Sequence, residues 1–493
     1  MTPVARQVPA SRIHVLNRGD VDPGGRFVLY WMIASRRCAW SFPLQRAVEW
    51  ARELGKPLLV LEALRCDYPW AGDRIHRFVL DGMADNARAC SRAGVRYHAY
   101  VEPRRGAGKG LLEALARRSS VVVTDEFPAF FLPRMTAVAA KRIPVRLEAV
   151  DGNGLQPLRA TQGRVFTRAR DFRRFLQRSL PDHLQSFPAR APLRRLDTSR
   201  RAVVPREILR RWPPAPGPLL EGDGIGSLPI GHDVPPISRR GGPREAEKNL
   251  RRFLGKHLKG YAEGRRDLVP PRTSGLSPYL HFGHVSAHQV FHRVAEGENW
   301  SPECVGTTPD GRREGWWGMK AGAEAFLEQL VTWRELGFNA AFGDPAYDRY
   351  ASLPGWARRT LEEHAGDERP YLYSPRELEE ARTHDRLWNA AQRQLLTEGV
   401  IHNALRMLWG KKILEWSPGP REALEVLFEL NNRWAIDGRD PNSASGILWV
   451  LGKFDRAWGP ERPVFGTVRY MSSESAERKL RVAPYLERYG AGE

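Results

Sequence analysis

Cysteine is scarce: four residues in 493, at Cys38, Cys66, Cys90 and Cys304, with no CxxC pair. Such scatter excludes a disulfide framework and a zinc ribbon, predicts no metal site, and suits a reducing cytoplasm. No apolar run approaches the ~18 residues of a membrane span. The opening MTPVARQVPASRIHVLNRGD lacks the apolar core of a secretory leader. Two nucleotide fingerprints are also missing. No GxGxxG follows the first apolar run. The stretch GAGKG at 106–110 departs from GxxxxGK[ST], because Gly110 follows Lys109, and reads as a flexible basic loop. No repeat of fixed period occurs. Acidic residues are outnumbered, 57 against 77 basic ones, for a net charge of +20. The excess points to a polyanionic partner, nucleic acid before membrane, unless an arginine-rich composition is simply spread evenly.

What is present falls into two patterns. Over the first 150 residues, short apolar runs at 26–33, 57–64, 95–102, 120–127 and 143–150 alternate with helical stretches at 43–55, 73–93 and 110–119. This predicts an α/β fold with a doubly wound parallel sheet, whose ligands bind at the carboxyl ends of the strands. Residues 187–245 are rich in Pro, Gly and Arg and read as a linker. From 246 onward apolar residues recur at three- and four-residue steps and strand runs vanish, which predicts an all-α domain. The expected division is 1–186, 187–245 and 246–493.

Eleven of the sixteen tryptophans lie after residue 299. Trp409 and Trp416, in HNALRMLWGKKILEW, are seven apart, so on a helix they point within ~20° of each other and sit ~10 Å apart along the axis. Gly399 is placed to cap the preceding helix, which carries Trp388, and SPGP at 417–420 stops this one. Two readings stay open from spacing alone: a packed core, or a relay for single electrons. A second dense stretch, YAEGRRDLVPPRTSGLSPYLHFGHVS at 261–286, gathers Tyr261, Arg265, Arg272, Thr273, Ser274 and Ser277. Its hydroxyls and amides suit a diphosphate, or an ordinary capped loop.

These segments resemble the photolyase/cryptochrome flavoproteins, and most of all the class II cyclobutane pyrimidine dimer photolyases. TSGLSPYLHFG, WRELGFN, THDRLWNAAQ, HNALRMLWGKKILEW and NNRWAIDGRDPN match that family in order and spacing, and YWM at 30–32 is similar to the opening strand of its antenna domain. The resemblance implies light-driven repair of pyrimidine dimers in DNA by an electron from excited, reduced FAD, with a cryptochrome-like blue-light photoreceptor as the alternative. It implies FAD contacts at Tyr261, Thr273, Ser274, Gly275, Leu276, Ser277, Arg406, Asp437 and Gly438, with Asn431 facing flavin N5. Trp388, Trp409 and Trp416 would form the electron path. Glu335 would hydrogen-bond the pyrimidine edge. Arg265 would contact DNA phosphate, Asn403 and Met407 would lie between flavin and substrate, and Trp449 and Trp458 would line the dimer pocket. The first domain would hold a deazaflavin, a folate or no second chromophore, and the protein is expected to act as a monomer. A flavin-free helical nucleic-acid-binding protein is the third reading.

Overall fold

The computed structural model describes residues 7–197 and 199–490. The first six residues, part of the stretch expected to carry no leader, lie outside the described residues. The chain divides into two compact units. The first contains the chain up to Gln162, Ser179–Arg252 and Gly275–Val305; the second contains Gly163–Arg178, Phe253–Ser274 and the chain from Gly306 onward.

The first unit is built on a six-stranded sheet of β1 (Ile13–Val15), β2 (Phe27–Met32), β3 (Leu58–Leu64), β4 (Arg96–Val101), β5 (Ser119–Glu126) and β6 (Leu147–Asp151). The order is β1-β6-β5-β2-β3-β4. All neighbours pair in parallel except β1, which runs antiparallel to β6 at the edge. The five parallel strands match the expected apolar runs. The edge strand IHV is too short and too exposed to leave a pattern. Four helices cross over between the strands: α1 (Phe42–Glu53), α2 (Asp73–Arg92), α3 (Leu111–Ala116) and α4 (Leu132–Ala140).

Alternation along β2 supplies both cores. Phe27, Leu29 and Trp31 pack with Leu111 and Leu115 of α3. Val28, Tyr30 and Met32 pack with Phe42, Leu44 and Val48 of α1. Burial of each such side chain contributes ~1.5–3 kcal/mol. That demand for cover on two faces explains why the strands read as continuous apolar runs.

The expected linker is a correction. Residues 187–245 do not run free: Ala202, Val204, Ile208 and Trp212 join the core beneath α3, and Trp212 Nε1 donates to the Ala107 carbonyl at 2.9 Å. Leu220, Ile225 and Leu228 pack on Val79, Leu80 and Met83 of α2. Proline and glycine there shape short turns and helices rather than a tether. The start of the second unit moves as well. Arg173 pairs with Glu328, its Nε donating at 3.0 Å. Asn339 ties down the 163–178 segment, accepting from Phe166 N at 3.1 Å and donating to the Arg164 carbonyl at 2.7 Å. A buried ion pair and a bidentate amide outweigh proximity in sequence.

The order in which strands are added reverses between β2 and β5, the usual place for a ligand crevice. Here Asp125 occupies the position. Its Oδ2 accepts from the backbone N–H groups of Ile33, Ala34 and Ser35 at 2.7, 2.7 and 3.0 Å, and Oδ1 accepts from Tyr30 Oη at 2.7 Å. The carboxylate is fully buried and substitutes for water at three donors beyond the strand end. Asp125→Ala leaves these groups unpaired and should lower the stability of this unit by at least about 3 kcal/mol, read as a lower urea midpoint. An unchanged midpoint would mean that water takes over the carboxylate's role.

The second unit is helical. Among the described residues no helix is long and apolar enough to cross a membrane. Its core gathers Trp388, Leu405, Leu408, Trp409, Ile413 and Leu427 from the helices Arg386–Glu398, Asn403–Trp416 and Pro420–Trp434.

Candidate active site

Local chemistry sets the two helices that carry the tryptophans. Asp385 caps the Arg386–Glu398 helix, accepting from Trp388 N at 2.9 Å. Gly399 ends it in the left-handed conformation, φ 68°, as expected. The next helix starts at His402, whose Nδ1 accepts from Ala404 N at 3.2 Å. Gly410 interrupts a good helical sequence for a steric reason: a Cβ there would meet Val450 Cγ2 at 2.5 Å.

Trp388 lies against both tryptophans of the neighbouring helix. Its ring is stacked with Trp409, centroids 6.5 Å apart and planes 4° from parallel, and meets Trp416 edge-on at 5.5 Å and 70°. The contact order is therefore 409, 388, 416. Trp388 Nε1 donates to the Trp409 carbonyl, and Trp409 Nε1 donates to Gln392 Oε1, each at 2.9 Å. All three rings are buried. Aromatic contact continues outward from Trp416 through residues the sequence reading missed. Tyr373 and His384 lie 5.4 and 5.3 Å from its ring. Tyr373 Oη pairs with His384 Nδ1 at 2.7 Å. Tyr371 is stacked on His384 at 3.8 Å and half exposed. An aromatic at an irregular segment before a helix carries no periodic signal.

Near the start of the same helix lies one ion pair implied for a flavin. Arg406 Nη2 donates to Asp437 Oδ1 at 2.9 Å. Asn431 is buried, its amide nitrogen donating to Ser443 Oγ at 3.0 Å. Gly438 N donates to the Ala435 carbonyl at 3.1 Å in a tight loop. That loop leads to Asp440, which caps the Pro441–Val450 helix. Asn403 is exposed and Met407 half-buried. Tyr261 is a core residue, its ring edge-on to Phe253 and Phe326 at 5.6 and 5.5 Å. Arg265, Thr273 and Ser274 are half-buried in the second unit. The division between units falls after Ser274, so Gly275, with φ 64°, buried Leu276 and exposed Ser277 belong to the first.

Glu335 is buried at the start of the Arg334–Gly343 helix. A π-helical turn, Glu328–Trp333, precedes it; such turns re-aim the side chains that follow them. Gly337 lets this helix touch the Pro441–Val450 helix, since a Cβ would lie 2.8 Å from Asn442 Cα. That second helix bears Trp449. Arg469 reaches both expected pocket aromatics, its guanidinium carbon 5.5 Å from the Trp449 ring and 3.8 Å from that of Trp458. Asp455 holds Arg469 at 2.8 Å and accepts from Trp458 Nε1 at 3.3 Å. Despite the cost of burial, these partners keep its carboxyl below the ordinary range. Among the described residues no cluster of His, Cys, Asp or Glu could hold a metal.

The second unit thus holds a buried tryptophan array, the Arg406–Asp437 pair and cation-flanked aromatics. Comparison with known proteins places it. No family model matches the chain. It is 35% identical over 481 residues to the deoxyribodipyrimidine photo-lyase of Methanothermobacter thermautotrophicus, covering 98% of each chain. It is 33% identical to the rice enzyme of the same name, over 97% of this chain and 90% of the relative. A bacterial class III photolyase from Agrobacterium tumefaciens shares the fold, with TM-score 0.67 at 17% identity over 94% of this chain and 86% of that one. The chain belongs to the deoxyribodipyrimidine photo-lyase family.

The cap of the central helix generates a pH prediction. Burial pushes His402 down from 6.5 to about 4, and only the neutral ring accepts a proton at Nδ1. The unfolded chain takes up a proton below about pH 6.5 that the fold refuses until about pH 4. The cap's contribution is therefore intact above pH 6.5 and declines as pH falls, by up to about 3 kcal/mol at pH 4. His402→Asn keeps an acceptor without the titration. Its unfolding free energy should fall less over that window in parallel urea titrations.

Proposed function

We propose that this chain is a light-driven repair enzyme that splits cyclobutane pyrimidine dimers in DNA, with FAD as its electron donor. The observation that carries the reading is the buried array Trp409–Trp388–Trp416 in a chain 35% identical to a photo-lyase along its whole length. Indoles in contact at these separations suit hopping of single electrons, and their burial excludes the water that would quench a radical.

The residues present fit a flavin. Asn431 offers a neutral amide fixed by Ser443. Arg406 and Asp437 form a partly buried charge pair that offers a donor and an acceptor to the polar edge of a ring system. Arg265, Thr273 and Ser274 supply the cation and hydroxyl donors that a diphosphate requires. When bound and reduced, FAD supplies the photoexcited electron; the protein binds, orients and insulates. Glu335, buried beyond the π turn, would hydrogen-bond the pyrimidine edge and stabilise charge developing there. Trp449 and Trp458 would stack on the extruded lesion. Photolyases are a standard case of base extrusion, and a dimer unstacks at lower cost than an intact pair. The net charge of +20 supports phosphate binding, so affinity should drop as salt rises.

Reduced protein mixed with a dimer-containing oligonucleotide should restore thymine absorbance in blue light and not in darkness. Glu335→Gln should slow repair by about a hundredfold with little change in dark binding. Trp388→Phe should leave repair by chemically reduced enzyme nearly intact while suppressing photoreduction at least about tenfold. A flavin-free preparation that cannot be reloaded, or equal repair in light and dark, overturns the assignment.

A further inference from the structure

Trp449 sits in a different electrostatic environment from the three relay indoles. Two cations face its ring, Lys411 Nζ at 5.1 Å and the Arg469 guanidinium at 5.5 Å from the centroid. Lys411 is fully buried. It belongs to the same helix as Trp409 and Trp416, and its ammonium donates to the Val450 carbonyl. A cation beside an indole attracts the ring's π electrons. The same attraction makes an electron harder to remove. Two of the relay rings have the opposite surroundings. Trp388 and Trp409 donate their N–H groups to oxygen acceptors, which favours the positive charge left by electron loss. The lysine nearest Trp416, Lys412 at 5.5 Å, is paired with Glu415 at 2.9 Å.

We propose that Lys411, backed by Arg469, is a positioning residue that clamps Trp449 and prevents its oxidation, confining electron loss to Trp409, Trp388 and Trp416. This rests on the electron-transfer reading of those three rings. The suppressed step is one-electron: the Trp449 indole passes an electron to an oxidised neighbour, and its N–H proton leaves to water. Without the clamp, a half-buried ring on the substrate side would compete with the path leading away from it.

The clamp is sensitive to pH. Burial lowers Lys411 from 10.5 to about 7, with Asp455 favouring the charge and Arg469 opposing it. Above neutrality the amine loses its proton, and Trp449 retains only Arg469, which Asp455 partly neutralises. The other cation of this segment lowered by burial is Lys453, to about 8, which lies over Phe454 rather than Trp449.

Azide radicals made by pulse radiolysis in the dark test this directly, because the neutral radical takes one electron from indole and becomes azide. The indolyl radical left behind takes up dissolved dioxygen, and the resulting oxygen addition at Trp449 is mapped by peptide mass spectrometry and referred to Trp356, another half-buried tryptophan. Lys411→Met should raise relative oxidation of Trp449 about tenfold at pH 6, and Lys411→Arg should leave it at the wild-type level. Wild-type oxidation should rise between pH 6 and pH 9, whereas Lys411→Met stays flat. Equal oxidation in wild type and Lys411→Met, or a shared pH profile, overturns the proposal. If Lys411→Met does not fold, the wild-type profile decides: no rise through neutrality overturns it. None of these readings uses the flavin. Failure of the relay itself would appear separately, as normal photoreduction in Trp388→Phe.

Discussion

The packing of Trp388 against two tryptophans of the neighbouring helix is the constraint on which the helical unit depends. A stacked contact at 6.5 Å and an edge-on contact at 5.5 Å require the two helices to hold one separation and one rotation. Gly410 lets the Pro441–Val450 helix close on the Asn403–Trp416 helix, and Asp385, Gly399 and His402 fix the ends of the two tryptophan helices. Large rings with hydrogen-bonded N–H groups make such a core both heavy in buried area and specific in geometry. The same arrangement puts three oxidisable rings in series, so core packing and electron relay are not competing descriptions. One set of contacts serves the packing and, under the proposed function, the relay.

Charge in this unit is placed with equal economy. The pairs Arg406–Asp437, Arg469–Asp455 and Lys412–Glu415 all border aromatic rings or the polar loop after residue 434. Within each of these pairs the two charges compensate one another, as desolvation requires. Beside them, Trp388 and Trp409 face oxygen acceptors, whereas two cations face Trp449. In the first unit Asp125 acts on the backbone instead, organising the turn beyond β2 where the order of strand addition reverses.

Much of this was legible before any coordinates. The five parallel strands follow from apolar runs that need cover on both faces, and the helices from three- and four-residue periodicity. The motif stretches pointed to the family that the full-length relatives establish. The linker was misread because Pro, Gly and Arg dominate its composition. Four apolar residues, Ala202, Val204, Ile208 and Trp212, suffice to dock it, and composition averages them away. The 163–178 segment was assigned by proximity in sequence, whereas Arg173 and Asn339 decide its unit through bonds to residues more than a hundred positions away.

Element type, family and the presence of redox-active rings were determined by the sequence alone, because periodicity and motif spacing are local properties of the chain. The order of contact among the tryptophans was not. Trp409 and Trp416 share a helix stripe, yet the ring each one meets is Trp388, from another helix. Nor could Lys411 be told from Lys412 by adjacency: one is buried against Trp449, the other ion-paired beside Trp416. Neighbouring residues on a helix point ~100° apart, so only the packing of surrounding helices decides which charge meets which ring.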